Sequence, residues 1–257
     1  MKVVVISDIH IRGSEDPLYA SLLAMIERKI GAGDTLVLGG DIFDFFVGRQ
    51  PSLIRRYERF FELLRAKARL GARIDYIEGN HDFHLRSTFA SIFPDEKSIR
   101  VHPAEVILPL PSGRKLYVAH GDLVDREDRG YLALRFFFRS PFIRLVAAAL
   151  PDTVAQRIGE GSSDASRRKN PRRPEEKGPR GLEELRKKYR GFSEAKIREG
   201  YAAVVLGHCH DLDGCEFTHD GRTGQYMNVG YPPAHRSYVV CDAEGRLRRE
   251  ALPSERV

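Results

Sequence analysis

Five short segments of this chain concentrate the residues that can hold a metal ion or move a proton. They are Asp8-Ile9-His10, Gly40-Asp41 with Asp44 three residues on, Gly79-Asn80-His81-Asp82, His120-Gly121-Asp122 and Gly207-His208-Cys209-His210. Five of the nine histidines fall within them. Asp8, His10, Asp41, Asn80, His120, His208 and His210 form a set of seven nitrogen and oxygen ligands without a thiolate. That set is too large for one tetrahedral ion and suits two ions sharing a carboxylate. Imidazole, carboxylate and amide oxygen fit borderline or hard metals such as manganese, iron or zinc. Paired ions about 3.5–4 Å apart are a standard device for phosphoester cleavage, because they activate water and stabilise both the attacking and the leaving oxygen. A lone Asp-x-His is more often an ordinary surface or capped pair. Five such motifs at strand ends are hard to assign to structure alone.

Each motif follows an apolar run of strand character. KVVVI (2–6), TLVLGGD (35–41) and RIDYIEGN (73–80) alternate with helical patterns at 17–30 and 52–68. VHPAEVILPL and RKLYVAHGD read as a pair of strands, and AAVVLGHCH as another, followed by turn-rich, strand-like segments to Leu252. This order predicts an α/β fold, α+β layered, with a mixed sheet layer covered by helices. Ligands of such folds gather at the carboxyl ends of the strands. Asp8 and His10, two apart on an extended end, are expected to point the same way, and His208 and His210 to repeat that geometry.

The chain has 257 residues, 42% of them apolar and 30% charged, which suits one soluble globular domain and excludes a disordered or fibrous chain. No run approaches the roughly 20 apolar residues that span a bilayer. The opening MKVVVISDIH lacks an export signal's longer apolar core, so a non-exported protein is expected. Three cysteines without paired spacing imply a reducing compartment and no disulfide framework. Charge is uneven: residues 126–198 hold 19 Lys and Arg against 10 Asp and Glu, an excess greater than the whole chain's net +6. A basic insert implies an anionic partner: nucleic acid, phospholipid headgroups or a phosphorylated substrate. The stretch 126–200 also breaks the strand–helix rhythm. It carries a helical run interrupted by Pro141 and Pro151, a charged loop at 167–181 and a further helix. Phe136, Phe137, Phe138, Phe142, Ile143, Leu145 and Val146 are more apolar mass than a small cap requires, and Arg135 and Arg139 share a helical face. An apolar chamber for acyl chains with a basic rim is the reading they favour. Aromatics set in apolar helices, rather than amid polar surface, argue against nucleic acid.

The order DIH, GGDIFD, GNHD, HGD, GHCH resembles the calcineurin-like metallophosphoesterases. The resemblance implies a β-sandwich flanked by helices over 1–257, with a helical lid insert at 126–200. It implies two divalent ions, manganese first, with iron or zinc as alternatives. Asp8, His10, Asp41 and His210 would hold one ion, and Asp41, Asn80, His120 and His208 the other, with Asp41 bridging. His81, oriented by Asp44, would be the catalytic pair. Within that superfamily the run from HGDLVDREDRGY to RSPFIRLVAAALPDTVAQRIGEGSSDASRRK is similar to the UDP-2,3-diacylglucosamine hydrolases of lipid A synthesis. Their substrate contacts map onto Asp128, Ser162, Ser166 and Lys169, beside Asn80, His81 and His208. The best-known members carry Arg at the position of His81 and Glu at that of Asp44. The likeness implies a nucleotide-lipid substrate, peripheral attachment to the cytoplasmic face of the inner membrane, no nucleic acid and no obligate protein partner; the alternative is another calcineurin-like phosphoesterase, a phosphatase, nucleotide phosphodiesterase or nuclease.

Overall fold

The computed structural model describes residues 1–149 and 178–254. The chain begins with β1 (Val3–Ile6), α1 (Pro17–Lys29), β2 (Thr35–Leu38), β3 (Phe46–Val47), α2 (Pro51–Arg56) and α3 (Glu58–Arg69). It continues with β4 (Arg73–Ile77), β5 (Asp82–Phe83), α4 (Arg86–Ile92), β6 (Ile99–His102), β7 (Glu105–Pro109) and β8 (Lys115–Ala119). Then come α5 (Arg129–Phe138), α6 (Pro141–Ala149), α7 (Gly178–Arg198), β9 (Tyr201–Leu206), β10 (Gly214–His219) and β11 (Arg222–Asn228). The last elements are α8 (Pro232–His235), β12 (Ser237–Cys241) and β13 (Leu247–Ala251).

Two sheets face one another. One runs β13-β12-β1-β2-β4-β6, the other β10-β11-β9-β8-β7. The period-2 geometry of a strand explains why the central strands are apolar throughout. In β1, Val4 and Ile6 join Leu36, Leu38, Ile74 and Tyr76 in a core shared with α1, α3 and α4. Val3 and Val5 point the other way and meet Val106, Leu116, Val118, Ala203 and Val205 between the sheets. On the far face, Val204, Leu206 and Tyr226 pack against Tyr189 and Ile197 of α7. The result is a helix–sheet–sheet–helix sandwich. β1, β2 and β4 run parallel, as do β8 and β9. The carboxyl ends of these five strands carry all five motifs.

Three local expectations change. The helix expected at 52–68 splits at Tyr57, whose ring is drawn into the core against Phe43 at 4.3 Å. The run VHPAEVILPL is two strands in different sheets, because Pro103, which has no N–H to donate, sits where the chain crosses between them. Of the proposed insert 126–200, α7 belongs to the outer helical layer, with Tyr189, Ser193 and Ile197 buried on the second sheet. Its first turn, from Gly178, takes up the end of the expected 167–181 loop.

A buried ion cluster on the first sheet gives a pH test of this body. Asp75, fully enclosed on β4, accepts from Arg73 Nε at 2.6 Å and pairs with His102 Nε2 at 2.7 Å. Burial opposes its charge, but His102 and Arg73 outweigh burial and hold the carboxyl below its usual 3.8. A depressed carboxyl contributes stability above that ordinary value and loses it as pH falls through the folded value. Asp75→Asn is therefore expected to cost about 2 kcal/mol at pH 6, with the difference from the parent shrinking towards pH 3. Urea unfolding at both pH values checks this; a pH-independent difference contradicts it.

Candidate metal centre

The Asp-x-His and His-x-His motifs turn their side chains inward by the same backbone device. Asp8 and His10 adopt φ of 56° and 54°, and His208 and His210 φ of 67° and 61°. Asp41 does likewise at 53°. Strand alternation, the expected cause of their common direction, is not the observed one. The strands end at Ile6 and Leu206, and left-handed residues then set the side chains. A residue with a Cβ adopts this conformation at a cost of about 1–2 kcal/mol. Strain of this kind gathers at functional sites. Two glycines make the close approach possible. A Cβ at Gly40 (φ 89°) would lie 2.7 Å from His120 Nδ1, and one at Gly79 would collide with the Asp41 carboxylate.

Asp41 sits at the centre, 2% exposed. Its Oδ2 lies 3.8 Å from His10 Nε2 and 3.7 Å from His120 Nε2, so one oxygen faces both halves of the site. Its Oδ1 accepts the His81 backbone N–H at 2.8 Å. On one side, the ligand atoms of Asp8, His10 and His210 lie within 4.8 Å of one another. His210 Nε2 is 3.4 Å from Asp8 Oδ1. The Asp8 carboxylate is held by the Ser7 hydroxyl and by the His208 N–H. On the other side, Asn80 Oδ1 is 3.1 Å from both His120 Nε2 and His208 Nδ1, and the two ring nitrogens are 3.3 Å apart.

Divalent ions fit this arrangement on two observations. His10 is 5% exposed, and its ring nitrogens meet only carboxylate oxygens just beyond hydrogen-bond distance, Asp44 Oδ1 at 3.6 Å and Asp41 Oδ2 at 3.8 Å, an under-satisfied state for a buried polar group that a cation would relieve. At the second position, His120 Nδ1 donates to the Gly39 carbonyl at 3.0 Å, which fixes the tautomer and aims Nε2 at the site. Burial opposes charge on His120, but Asp41 and Asp8 outweigh burial and push it up to about 9. Positive charge thus belongs at the point where Asn80, His120, His208 and Asp41 converge, and a divalent ion held there would supply it while Nε2 kept its lone pair. Burial drives His10 and His208 down to about 4, so both are neutral imidazoles ready to ligate. Burial also works against Asp41 and Asp8, yet His120 and His81 beside Asp41, and His210 and His120 beside Asp8, hold both carboxylates below their usual range.

His81 and Asp44 sit beside the first group, and Asp44 serves two histidines. His81 Nδ1 donates to the backbone carbonyl of Asp44 at 2.9 Å. The Asp44 carboxylate lies 3.6 Å from His10 Nδ1. The reach from Asp44 to His81 therefore includes the main chain, which residue types alone do not reveal.

Several contributors were not singled out by sequence. Asp82 closes the GNHD motif as a fully enclosed carboxylate. It accepts from the N–H groups of Asp41, Ile42 and Gly79 at 2.8–2.9 Å and from Tyr76 OH at 2.5 Å, fixing two motif loops together. Burial and the Asp41 charge push it up to about 7. Tyr231 stacks on His210 at 4.4 Å, and Asn228 donates to the Gly207 carbonyl at 2.9 Å. Both lie in NVGYPPAH, where a turn after a strand was the only signal.

The profile of the calcineurin-like phosphoesterases matches residues 1–223. The chain belongs to this family. It is a metallophosphoesterase, a hydrolase whose buried Asp and His clusters are suited to two metal ions. It is 25% identical to a UDP-2,3-diacylglucosamine hydrolase of Enterobacter sp. (strain 638), over 95% of this chain and 97% of that one. It is 26% identical to the enzyme of that name from Aeromonas salmonicida (strain A449), over 99% and 95%. A solved archaeal phosphodiesterase matches 98% of this chain and all of that one, with TM-score 0.43 and 15% identity.

Beside this phosphoesterase's metal centre lies α5. Asp128 caps it, accepting the Tyr131 N–H at 2.8 Å. Tyr131, Arg135 and Arg139, four apart, face the body. Tyr131 OH and Arg135 Nε reach Asp122 at 2.8 and 2.5 Å, and Arg139 Nη1 reaches Glu78 at 2.9 Å. The two arginines, expected on a basic rim, are spent on internal ion pairs because Asp122 and Glu78 lie beneath them. Among the described residues of these helices, large apolar side chains are exposed: Phe136 is 80% exposed, Phe142 65% and Leu145 70%. Ser162, Ser166 and Lys169 lie outside the described residues, as does Pro151. The three cysteines are free thiols, and among the described residues no helix is long and apolar enough to cross a membrane.

Proposed function

We propose that this phosphoesterase cleaves the pyrophosphate of UDP-2,3-diacylglucosamine to UMP and 2,3-diacylglucosamine 1-phosphate, as a step of lipid A synthesis. The observation that carries the substrate class is the exposed apolar pair α5–α6, fastened directly to the loops of the metal centre. Likeness to UDP-2,3-diacylglucosamine hydrolases along nearly the whole of both chains supports it.

Asp8, His10, Asp41 and His210 would hold one divalent ion, and Asp41, Asn80, His120 and His208 the other, manganese being the first candidate. Bound there, the ions supply Lewis acidity and water activated at neutral pH. The protein's own groups do the rest. Asp82 and the left-handed turns hold the ligands so that little reorganises during reaction. His81, with Nδ1 tied to Asp44, presents Nε2 to a phosphoryl or leaving oxygen and stabilises charge or delivers a proton there. Asp128, Ser162, Ser166 and Lys169, with Asn80, His81 and His208, would contact substrate. Acyl chains would lie along the exposed face of α5 and α6, each buried methylene contributing about 0.8 kcal/mol. That face also suits reversible attachment to the cytoplasmic surface of the inner membrane.

Phosphorus NMR after incubation with UDP-2,3-diacylglucosamine and manganese tests the assignment. UMP and a lipid monophosphate are expected; intact substrate beside brisk hydrolysis of a small phosphodiester contradicts it. Phe137→Asp should separate the functions. Its kcat/KM for the diacylated substrate is expected to fall at least about tenfold, about 1.4 kcal/mol. Hydrolysis of bis-p-nitrophenyl phosphate should persist. Equal loss on both would make the helices structural.

A further inference from the structure

We propose that Arg139, with Glu78, is a positioning residue for the second metal site: it sets the loop that carries Asn80 and His81 from outside, as Asp82 does from inside. This rests on the proposed ligand role of Asn80. The Arg139 guanidinium reaches four acceptors. Nη1 donates to Glu78 Oε2 at 2.9 Å and to the Pro103 carbonyl at 2.8 Å. Nη2 donates to the carbonyls of Glu78 at 3.2 Å and Gly79 at 2.9 Å, the two peptides immediately before Asn80. Glu78 completes the clamp on the far side, where its Oε1 accepts the Leu85 N–H at 2.7 Å. The loop 78–85 is thus gripped at both ends by one ion pair. Both partners are largely enclosed, with side-chain exposure of 15% and 9%.

The arginine comes from the C-cap of α5, not from the two sheets. His84 Nε2 adds a second tie from the loop to that helix, at the Phe138 carbonyl, 3.0 Å away. A helix whose outer face is apolar therefore touches, through its inner face, the main chain that aims a metal-site amide. The planar fork of arginine suits this task. A lysine has three donors on a single nitrogen and cannot span four acceptors spread over a carboxylate and three carbonyls. Partners of this kind behind metal ligands typically change metal affinity by about 10–100-fold when removed.

The experiment is manganese titration of the full chain by calorimetry, with electron paramagnetic resonance to detect the spin-coupled pair. It compares the parent, Arg139→Lys, Arg139→Gln and Asn80→Ala, with thermal melts to confirm folding. Both Arg139 variants are expected to weaken the second ion by about 10–100-fold while the first binds as in the parent, so that the coupled signal disappears at stoichiometric loading. Asn80→Ala should lose the same ion. Arg139→Lys keeps the charge opposite Glu78 and carries the test if Arg139→Gln does not fold. Parent-like binding of both ions by Arg139→Lys, or equal loss of both, overturns the inference while leaving the Asn80 assignment standing. Retention of both ions by Asn80→Ala overturns it at its premise.

Discussion

Asp41→Ala is expected to lower phosphoesterase turnover by about 10³-fold or more, a loss of about 4 kcal/mol in transition-state stabilisation. One oxygen of Asp41 faces His10 and His120 at nearly equal distances, and the other fixes the His81 peptide. Removing it takes a ligand from both proposed ions at once and releases the loop of the GNHD motif. Metal analysis should show fewer than two ions on the variant. Cys209→Ala is the informative contrast. Cys209 lies between two proposed ligands in sequence, yet its side chain packs beside Tyr189 and Leu206, and burial raises its thiol well above the usual range. Its variant should keep activity within about twofold, since a partly buried thiol with a raised pKa that packs away from the site is not a ligand. Activity of Asp41→Ala near the parent's would remove the bridging role.

His81→Ala is expected to cost about 10²–10⁴-fold in kcat with both ions still bound, the range for losing a positioned acid or hydrogen-bond donor. Asp44→Asn should cost less, because the carbonyl that receives His81 Nδ1 remains. What it loses is the carboxylate, which lies 3.6 Å from His10 Nδ1 and within 4.8 Å of a His81 ring nitrogen. The double variant should lose less than the sum of the two in free energy, since the groups touch and act on one loop. Strict additivity would show them to be independent.

The buried strands and the motifs that follow them were legible in the sequence because both follow from local pattern, whereas the pairing of two sheets was implied only by the family resemblance. Val3 to Ile6 read as a buried strand because each face meets a core, and the motifs follow such runs at the strand ends. The turns that aim the ligands were not legible. Nothing in Asp8 or His208 as residue types announces a left-handed backbone, which is imposed by contacts such as His10 N–H to the Asp41 carbonyl at 3.0 Å. Tertiary pairing was hidden for the same reason. Arg135 and Arg139 looked like a surface stripe until Asp122 and Glu78, distant in sequence, lay under them. The outward turn of Phe136 follows directly, because a helix that commits one face to ion pairs presents its apolar residues on the other. Asp82 was visible as part of a motif, but its four hydrogen bonds depend on three separate strands meeting.

The central claim is that two divalent ions at the Asp41 site drive phosphoester hydrolysis. The most direct test is elemental analysis and activity of the same protein sample before chelation, after chelation and after manganese is restored. Two ions per chain, loss of bis-p-nitrophenyl phosphate hydrolysis in step with metal removal, and recovery on adding manganese are expected. Undiminished hydrolysis by protein shown to be free of metal would contradict the account.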